Sequence, residues 1–424
     1  MIPQIRKLSF SQEWMTVTAC FLLSFSSGPF FAITVFFTSF EADFGWSRAM
    51  ISLIYSLYLL IAGFSNIAIG WITDRFGPKL TITACGLLIG LGLVLCSQVQ
   101  GIGQFLVFYA IASLGVGSIF VVPPATVQRA SLRRPGLALG ITTAGVSVGR
   151  MVFTSLSGLL LLALGWRTSY ILTGVIIWVL YLVAILLILP RYRKASVETG
   201  DISHQEATID NKDRTVKGRT VEVSARSSFK KLIKTKAFML TVLMFILPIA
   251  CNQMLVLHIV PFAEGEGISK VAAASAAALI GAFGIAGNIV CPSLSGRISW
   301  RWLVFLALGG CSLAMIWLMV TGSLWMLYIF VALYGFFFYG SVPTRLGFVR
   351  HLFGDQFLAS MIGILLGVSA LFSTLAPLAA GYVYDKSESY NIAFLVAAVF
   401  FAAGAFIAIV LKRPATQVTG AVDS

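Results

Sequence analysis

The stretch AGVSVGRMVFTSLSG, from Ala144 to Gly158, carries a single charge, Arg150, among small, apolar and hydroxylic residues. A guanidinium is a permanent cation with a planar fork of donors, suited to gripping a carboxylate through two parallel hydrogen bonds. No acid neighbours it. Asp and Glu occur at 13, 41, 43 and 74, at six positions between 198 and 222, and at 264, 266, 355, 385, 388 and 423. A carboxylate that pairs with Arg150 would therefore come from outside the chain; the bland alternative is a bond to backbone carbonyls at a helix break. The other residues able to do chemistry are sparse. GWITDRFGPKLT gathers Gly70, Asp74, Arg75, Gly77 and Lys79, and isolated polar groups stand at Asn252, His258, Asn288 and Tyr339. No nucleophile–base pair, metal-ligand cluster or phosphate-binding loop is present, so no enzymatic activity, cofactor or metal is expected.

The elements that hold these residues are membrane helices. The chain is 58% hydrophobic and 11% charged, with a mean hydropathy of +0.93, where a soluble domain carries about 25% charged residues. Apolar runs of about 20 residues, enough to cross the hydrocarbon core, fall near 15–39, 47–71, 79–98, 103–125, 137–163 and 168–190, then near 237–262, 270–295, 302–320, 324–345, 357–382 and 391–411. The expectation is an all-α membrane protein of twelve spans in two six-helix bundles, 1–190 and 237–424. Between them, 191–236 is polar and basic, the composition of a disordered linker; its end FKKLIKTK suits a membrane surface. The start, MIPQIRKLSFSQEW, shows no cleavable signal. Six cysteines lie in apolar runs without paired spacing and read as small buried hydrophobes.

The net charge of +14 is a topology signal. With both termini on one side, that side collects Arg6, Lys7, Arg75, Lys79, Arg129, Arg133, Arg134, the basic linker, Arg297, Arg301, Arg350, Lys412 and Arg413; the other holds Arg48, Arg167, Lys270 and Lys386. By the positive-inside rule both termini are cytoplasmic, in a plasma membrane. This distribution argues against nucleic acid as a partner. Arg345, near the end of its run, reads as a charge snorkelling to the interface.

The halves repeat at an offset of 222 residues: Ser47 matches Ser269, Arg48 Lys270, Asn66 Asn288, Arg75 Arg297, Lys79 Arg301, and Gly145–Ser147 matches Gly367–Ser369. Parallel repeats about an axis along the membrane normal mark one class of secondary transporter.

GWITDRFGPKLT resembles the G-x-x-x-D-R-x-G-R-K signature of the major facilitator superfamily, with Pro78 in place of one basic residue. FGWSRA (Phe44–Ala49), RRPGLALGITTAG (Arg133–Gly145), HIVPFAEGEGIS (His258–Ser269) and GYVYDKSESYNIAFL (Gly381–Leu395) resemble its bacterial monocarboxylate transporter branch, near the oxalate/formate exchangers. The resemblance implies alternating-access transport of small organic anions, monocarboxylates foremost, by proton symport or anion exchange, in the bacterial inner membrane. The alternative is an efflux carrier for hydrophobic or drug-like compounds, disfavoured by the buried cation and the lack of a mid-membrane acid; a membrane sensor lacks any signalling module. A monomer is expected, with the small organic anion, a proton and the lipid bilayer as its partners.

The resemblance also assigns roles. Gly70, Asp74, Arg75, Gly77 and Lys79, with Arg297 in the weaker second copy, form a conformational latch, the aspartate facing the N-terminal end of span eleven. Family members carry a substrate-binding arginine in span eight, where this chain has Gly287-Asn288, so the anion-binding charge moves to Arg150. Asn288, Asn252 and Tyr339 lie on cavity-lining spans and are candidate substrate contacts, each with helix packing as its rival. His258, in a stretch like the family's HLVP, carries an imidazole, the side chain suited to proton sensing, and is a candidate gate or an interfacial anchor.

Overall fold

The computed structural model describes residues 10–46, 48–130, 132–188 and 232–411. The expected linker lies almost wholly outside the described residues, as do Arg6, Lys7, Lys412 and Arg413. Among the described residues the chain is helical, without a strand. Among the described residues, eleven helices are long and apolar enough to cross a bilayer. One of them, Pro135–Leu187, has 53 residues; at about 1.5 Å per residue it is far too long for one crossing of about 30 Å. It doubles back at Gly165, whose φ of 76° only glycine adopts readily. The result is twelve crossings.

Span one is broken. Phe10–Phe25 ends at a turn through Ser26 and Ser27, and Gly28–Phe31, a 3-10 segment Ala32–Phe36 and Phe37–Phe44 complete the crossing. Pro29 lacks the N–H needed to continue the first helix, and Gly28 lies so near span five that a Cβ would sit 2.3 Å from the Gly149 carbonyl. Span two is Arg48–Phe76 and span three Pro78–Cys96; span four runs through Ile102–Leu114, Gly117–Phe120 and Val122–Arg129. Spans five and six are the two arms of the helix folded at Gly165. In the second half, spans seven to ten are Lys236–Gly265, Lys270–Ser293, Trp300–Met319 and Leu324–Phe353. Span eleven breaks at Thr374 into Leu358–Ser373 and Leu375–Ser387, and span twelve is Asn391–Val410.

Each half packs its own apolar core. The first is rich in aromatic contacts, with Phe40 edge-on to Phe105 and Trp166 and stacked on Tyr170, and Trp46 flat on Phe44. The second core extends across the boundary to Val17, Val121, Ala125, Ala138 and Leu139 of the first half. All six cysteines are buried and unbridged.

The halves meet along two seams. Span two packs on span eleven from Gly63, beside Leu371, to Gly70, where a Cβ would lie 2.4 Å from the Ala359 carbonyl. Span five packs on span eight at Gly136, against the Pro292 carbonyl, and at Gly140, against that of Asn288. Gly70, Gly136 and Ala359 lie beside Arg75, Arg134 and Asp355, so these contacts close the face that carries the basic residues, hereafter the basic face.

Arg345 departs from its sequence reading. It is 1% exposed and does not reach the interface, because span ten continues to Phe353. Its Nε donates to the Ser341 carbonyl at 3.2 Å, Nη2 to Ser341 Oγ at 3.3 Å and Nη1 to the Met244 carbonyl at 3.5 Å. Met244 is four residues before Pro248, so its carbonyl has no helical donor. The guanidinium also stacks over Phe245 at 5.0 Å.

Candidate functional site

Arg150 lies about 15 residues, or roughly 22 Å, into span five, near mid-membrane. Which way it faces follows from its neighbours at about 100° per residue. Gly145 and Gly149 lie on the Phe21 and Phe25 carbonyls of span one, and Gly136 and Gly140 on span eight. Of the two arcs between these contacts, one bears Met151, Ser155, Leu159 and Leu162, all exposed; Leu162 is 88% exposed, as a lipid-facing leucine should be. The other bears Leu139, Thr142, Phe153 and Ser157, all buried. Leu139 on this arc borders a cleft shared with Gly347 and Arg350 of span ten, so the arc faces the opposite half. Arg150 is on this second arc, yet it is exposed. Its exposure therefore faces the space between the halves.

The guanidinium lies over the Phe31 ring, 5.0 Å from its centroid. This is a cation–π contact with broken span one. Arg150 has no hydrogen bond or ion pair among the described residues. Their acids, Glu13, Glu41, Asp43, Asp74, Glu264, Glu266, Asp355, Asp385 and Glu388, all lie at span ends or in connections.

Asn288 is 2% exposed. Its Nδ2 donates to Ser147 Oγ at 3.4 Å, joining span eight to span five three residues from Arg150. The other candidates make contacts inside the second half. Asn252 Oδ1 accepts from Tyr334 Oη at 3.2 Å. Tyr339 packs its ring on Gly284 and edge-on against Phe338. Both His258 nitrogens are occupied, Nδ1 with Tyr390 Oη at 3.2 Å and Nε2 with the Pro377 carbonyl at 3.1 Å. A carbonyl can only accept, so Nε2 carries the proton. His258 thus ties span seven to the outer piece of span eleven and to the start of span twelve. The structure brings Arg150 and Asn288 together through Ser147; Asn252 and His258 make these contacts elsewhere.

At the basic face, Asp74 crosses from span two to the first turn of span eleven. Its Oδ2 accepts from the Ser360 N–H at 2.7 Å and its Oδ1 from the Ala359 N–H at 3.3 Å. These amides are orphan donors at the positive end of a helix dipole, where a carboxylate is favourable. Arg129 pairs with the same carboxylate and donates to the Asp355 carbonyl at 3.1 Å. Arg350 grips Asp355 with two bonds, of 2.5 and 2.9 Å. Arg129 and Asp355 escaped the sequence reading: the loop signature singles out Asp74, but its cation lies 55 residues on. Arg75 lays its guanidinium over Trp71 and Phe76 at 5.4 and 5.5 Å. Lys79 and Arg297 are exposed. Gly77, with φ of 83°, forms the turn into span three.

Comparison with known proteins agrees with this architecture. The family model described as Major Facilitator Superfamily matches residues 19–342 and 294–422. The chain is 25% identical over 411 residues to monocarboxylate transporter 12 of Homo sapiens, covering 90% of this chain and 77% of the relative. It is 26% identical over 164 residues to the oxalate:formate antiporter of Oxalobacter formigenes, covering 39% of each. Among solved structures, the transporter FucP in the outward conformation superimposes with a TM-score of 0.74 at 16% identity, covering 95% of this chain and 99% of that one. The chain belongs to the Major Facilitator Superfamily.

Proposed function

We propose that this transporter carries small organic anions, monocarboxylates foremost, by alternating access, and that Arg150 receives the cargo carboxylate. The observation that carries this reading is a guanidinium in mid-membrane that is exposed toward the space between the halves, backed by a ring and unpaired among the described residues. Such a charge costs about 2.5–3.5 kcal/mol on insertion scales. Cargo that supplies a carboxylate offsets that cost and restores the fork. The kinship with monocarboxylate transporters and an oxalate:formate antiporter supports the same class.

The closed basic face supports alternating access. Asp74, Arg129, Asp355 and the seam glycines hold that face shut while Arg150 takes cargo from the other side. Closing around an empty site would bury a bare cation, so loading precedes the switch. This ordering favours symport with a proton brought by the cargo, or exchange of two anions that satisfy Arg150 in turn. Asn288 places an amide beside this site, and the second half presents Asn252 and Tyr339. We place both termini on the cytoplasmic side of a plasma membrane, from the Lys and Arg asymmetry. Residues 1–190 and 237–424 are the two moving halves of a monomer, and 191–236 is the connection between them.

The test is uptake of labelled lactate, pyruvate, oxalate, formate and a bulkier aromatic acid into proteoliposomes, with and without internal anion. The reading expects saturable uptake of a small carboxylate. Counterflow faster than net uptake selects exchange. Uptake of hydrophobic cations with no carboxylate taken up contradicts the reading.

A further inference from the structure

The end of span four crosses the boundary between the halves. Val121, Ala125 and Val127 are buried in the apolar core of the second half, and Arg129 donates to the Asp355 carbonyl at 3.1 Å. Gln128 lies between them and borders a cleft that it shares with Trp300, Gly347 and His351 of the second half. The second half therefore forms part of its cover, and that cover is removed when the basic face opens.

Gln128 is mismatched to its surroundings. The residue is 3% exposed. Both ends of its carboxamide are sealed from solvent, and neither Oε1 nor Nε2 has a hydrogen bond among the described residues. The amide carries two N–H donors and an acceptor oxygen. Water satisfies them when they are exposed, and burying them unpaired costs free energy that no contact returns. The charged groups nearby are matched to one another and leave the amide aside: Arg350 grips Asp355, and Arg129 pairs with Asp74. Trp300 turns its ring to Gly347. An unbranched apolar side chain such as methionine would fill the same place without a polar demand.

We propose that Gln128 is a counterweight to the clamp at the basic face: its sealed amide destabilises the closed arrangement, takes up water when the halves part, and so keeps opening accessible. Asp74, Arg129 and the seam glycines all act the other way, toward closure. A group that costs more in one of two states shifts the population toward the other by that difference. A carrier held shut too firmly on one side stalls there, and the unpaired amide opposes that outcome without weakening the clamp itself. The inference rests on the alternating-access reading given above.

The test is Gln128→Met, with Gln128→Leu as a second apolar variant, read by spin-label distance distributions across the basic face. Each is made in the full chain, in wild type and in Asp74→Asn or Gly136→Ala, where the open population is large enough to count. Both apolar variants are expected to lower the open-to-closed ratio at least fivefold in each background and to raise the melting temperature. An unchanged or increased ratio overturns the proposal. With a raised melting temperature, an unchanged ratio would mean that the amide is unpaired in both states; with an unchanged one, that a bound water already satisfies it. A basic face that opens in no background would contradict alternating access itself, and the counterweight with it, whereas a face that opens regardless of residue 128 removes the counterweight alone.

Discussion

Asp74 in span two caps the first turn of span eleven, its Oδ2 accepting the Ser360 N–H at 2.7 Å across the boundary between the halves. One carboxylate thus serves a helix terminus of the opposite half and a cation of its own, Arg129. The halves are clamped where they must separate for the basic face to open.

Asp74→Asn keeps the shape and removes the charge. Hydrogen bonds to a charged group contribute about 1.5–3 kcal/mol, so the basic-face-open population should rise about ten- to hundredfold. Distance distributions between spin labels across that face would measure it. An unchanged distribution would remove Asp74 from the switch.

Arg129 and Asp74 should act as one unit. Arg129→Gln alone should shift the same distribution in the same direction, and the double variant should show a coupling of about 0.5–3 kcal/mol. Additive effects would mean that Arg129 only screens the surface.

Gly136 has no room for a side chain: an added Cβ would lie 1.9 Å from the Pro292 carbonyl. Gly136→Ala should wedge the seam between spans five and eight, at about 1–3 kcal/mol for overpacking. The variant should rest open at the basic face and label there faster. A normal closed population would show that the seam relaxes around a methyl group.

Arg345 and Pro248 form a second coupled pair. Arg345→Met leaves the Met244 carbonyl bare, and Pro248→Ala restores its helical donor. The proline substitution should therefore be more stabilising, by about 0.5–3 kcal/mol in melting experiments, in the Arg345→Met background than in wild type. Equal effects in both backgrounds would leave the carbonyl contact without energetic weight.

Much of this architecture is legible in the sequence, and the reason is the bilayer. Hydropathy must persist for about 20 residues per crossing, so the spans stand out, and the loop signature leads straight to Asp74. Arg150 is conspicuous because no acid accompanies it. Partners supplied by tertiary contact are not legible: Arg129 follows a different span, and no local pattern aims it at Asp74. The burial of Arg345 is not legible because hydropathy blurs the end of span ten, which runs eight residues past it to Phe353. The break of span one at Ser26 and Ser27 is signalled by Gly28 and Pro29, but the hydrophobic run hides it.

The unpaired state of Arg150 can be tested from within the chain. Val146 precedes it by one helical turn on the same arc, and a glutamate N-terminal to a cation at i, i+4 is the favourable order. Val146→Glu should fold, pair with Arg150 and compete with cargo, lowering anion uptake at least tenfold. Undiminished uptake would mean that the guanidinium does not need to be free.

The most direct measurement is binding and uptake of a labelled monocarboxylate by wild type, Arg150→Lys and Arg150→Ala, each shown to melt like wild type. Arg150→Ala should lose binding and uptake by at least a hundredfold, and Arg150→Lys by at least tenfold, because an ammonium cannot form the fork. Near-wild-type binding and uptake in Arg150→Ala would contradict the assignment of the anion site.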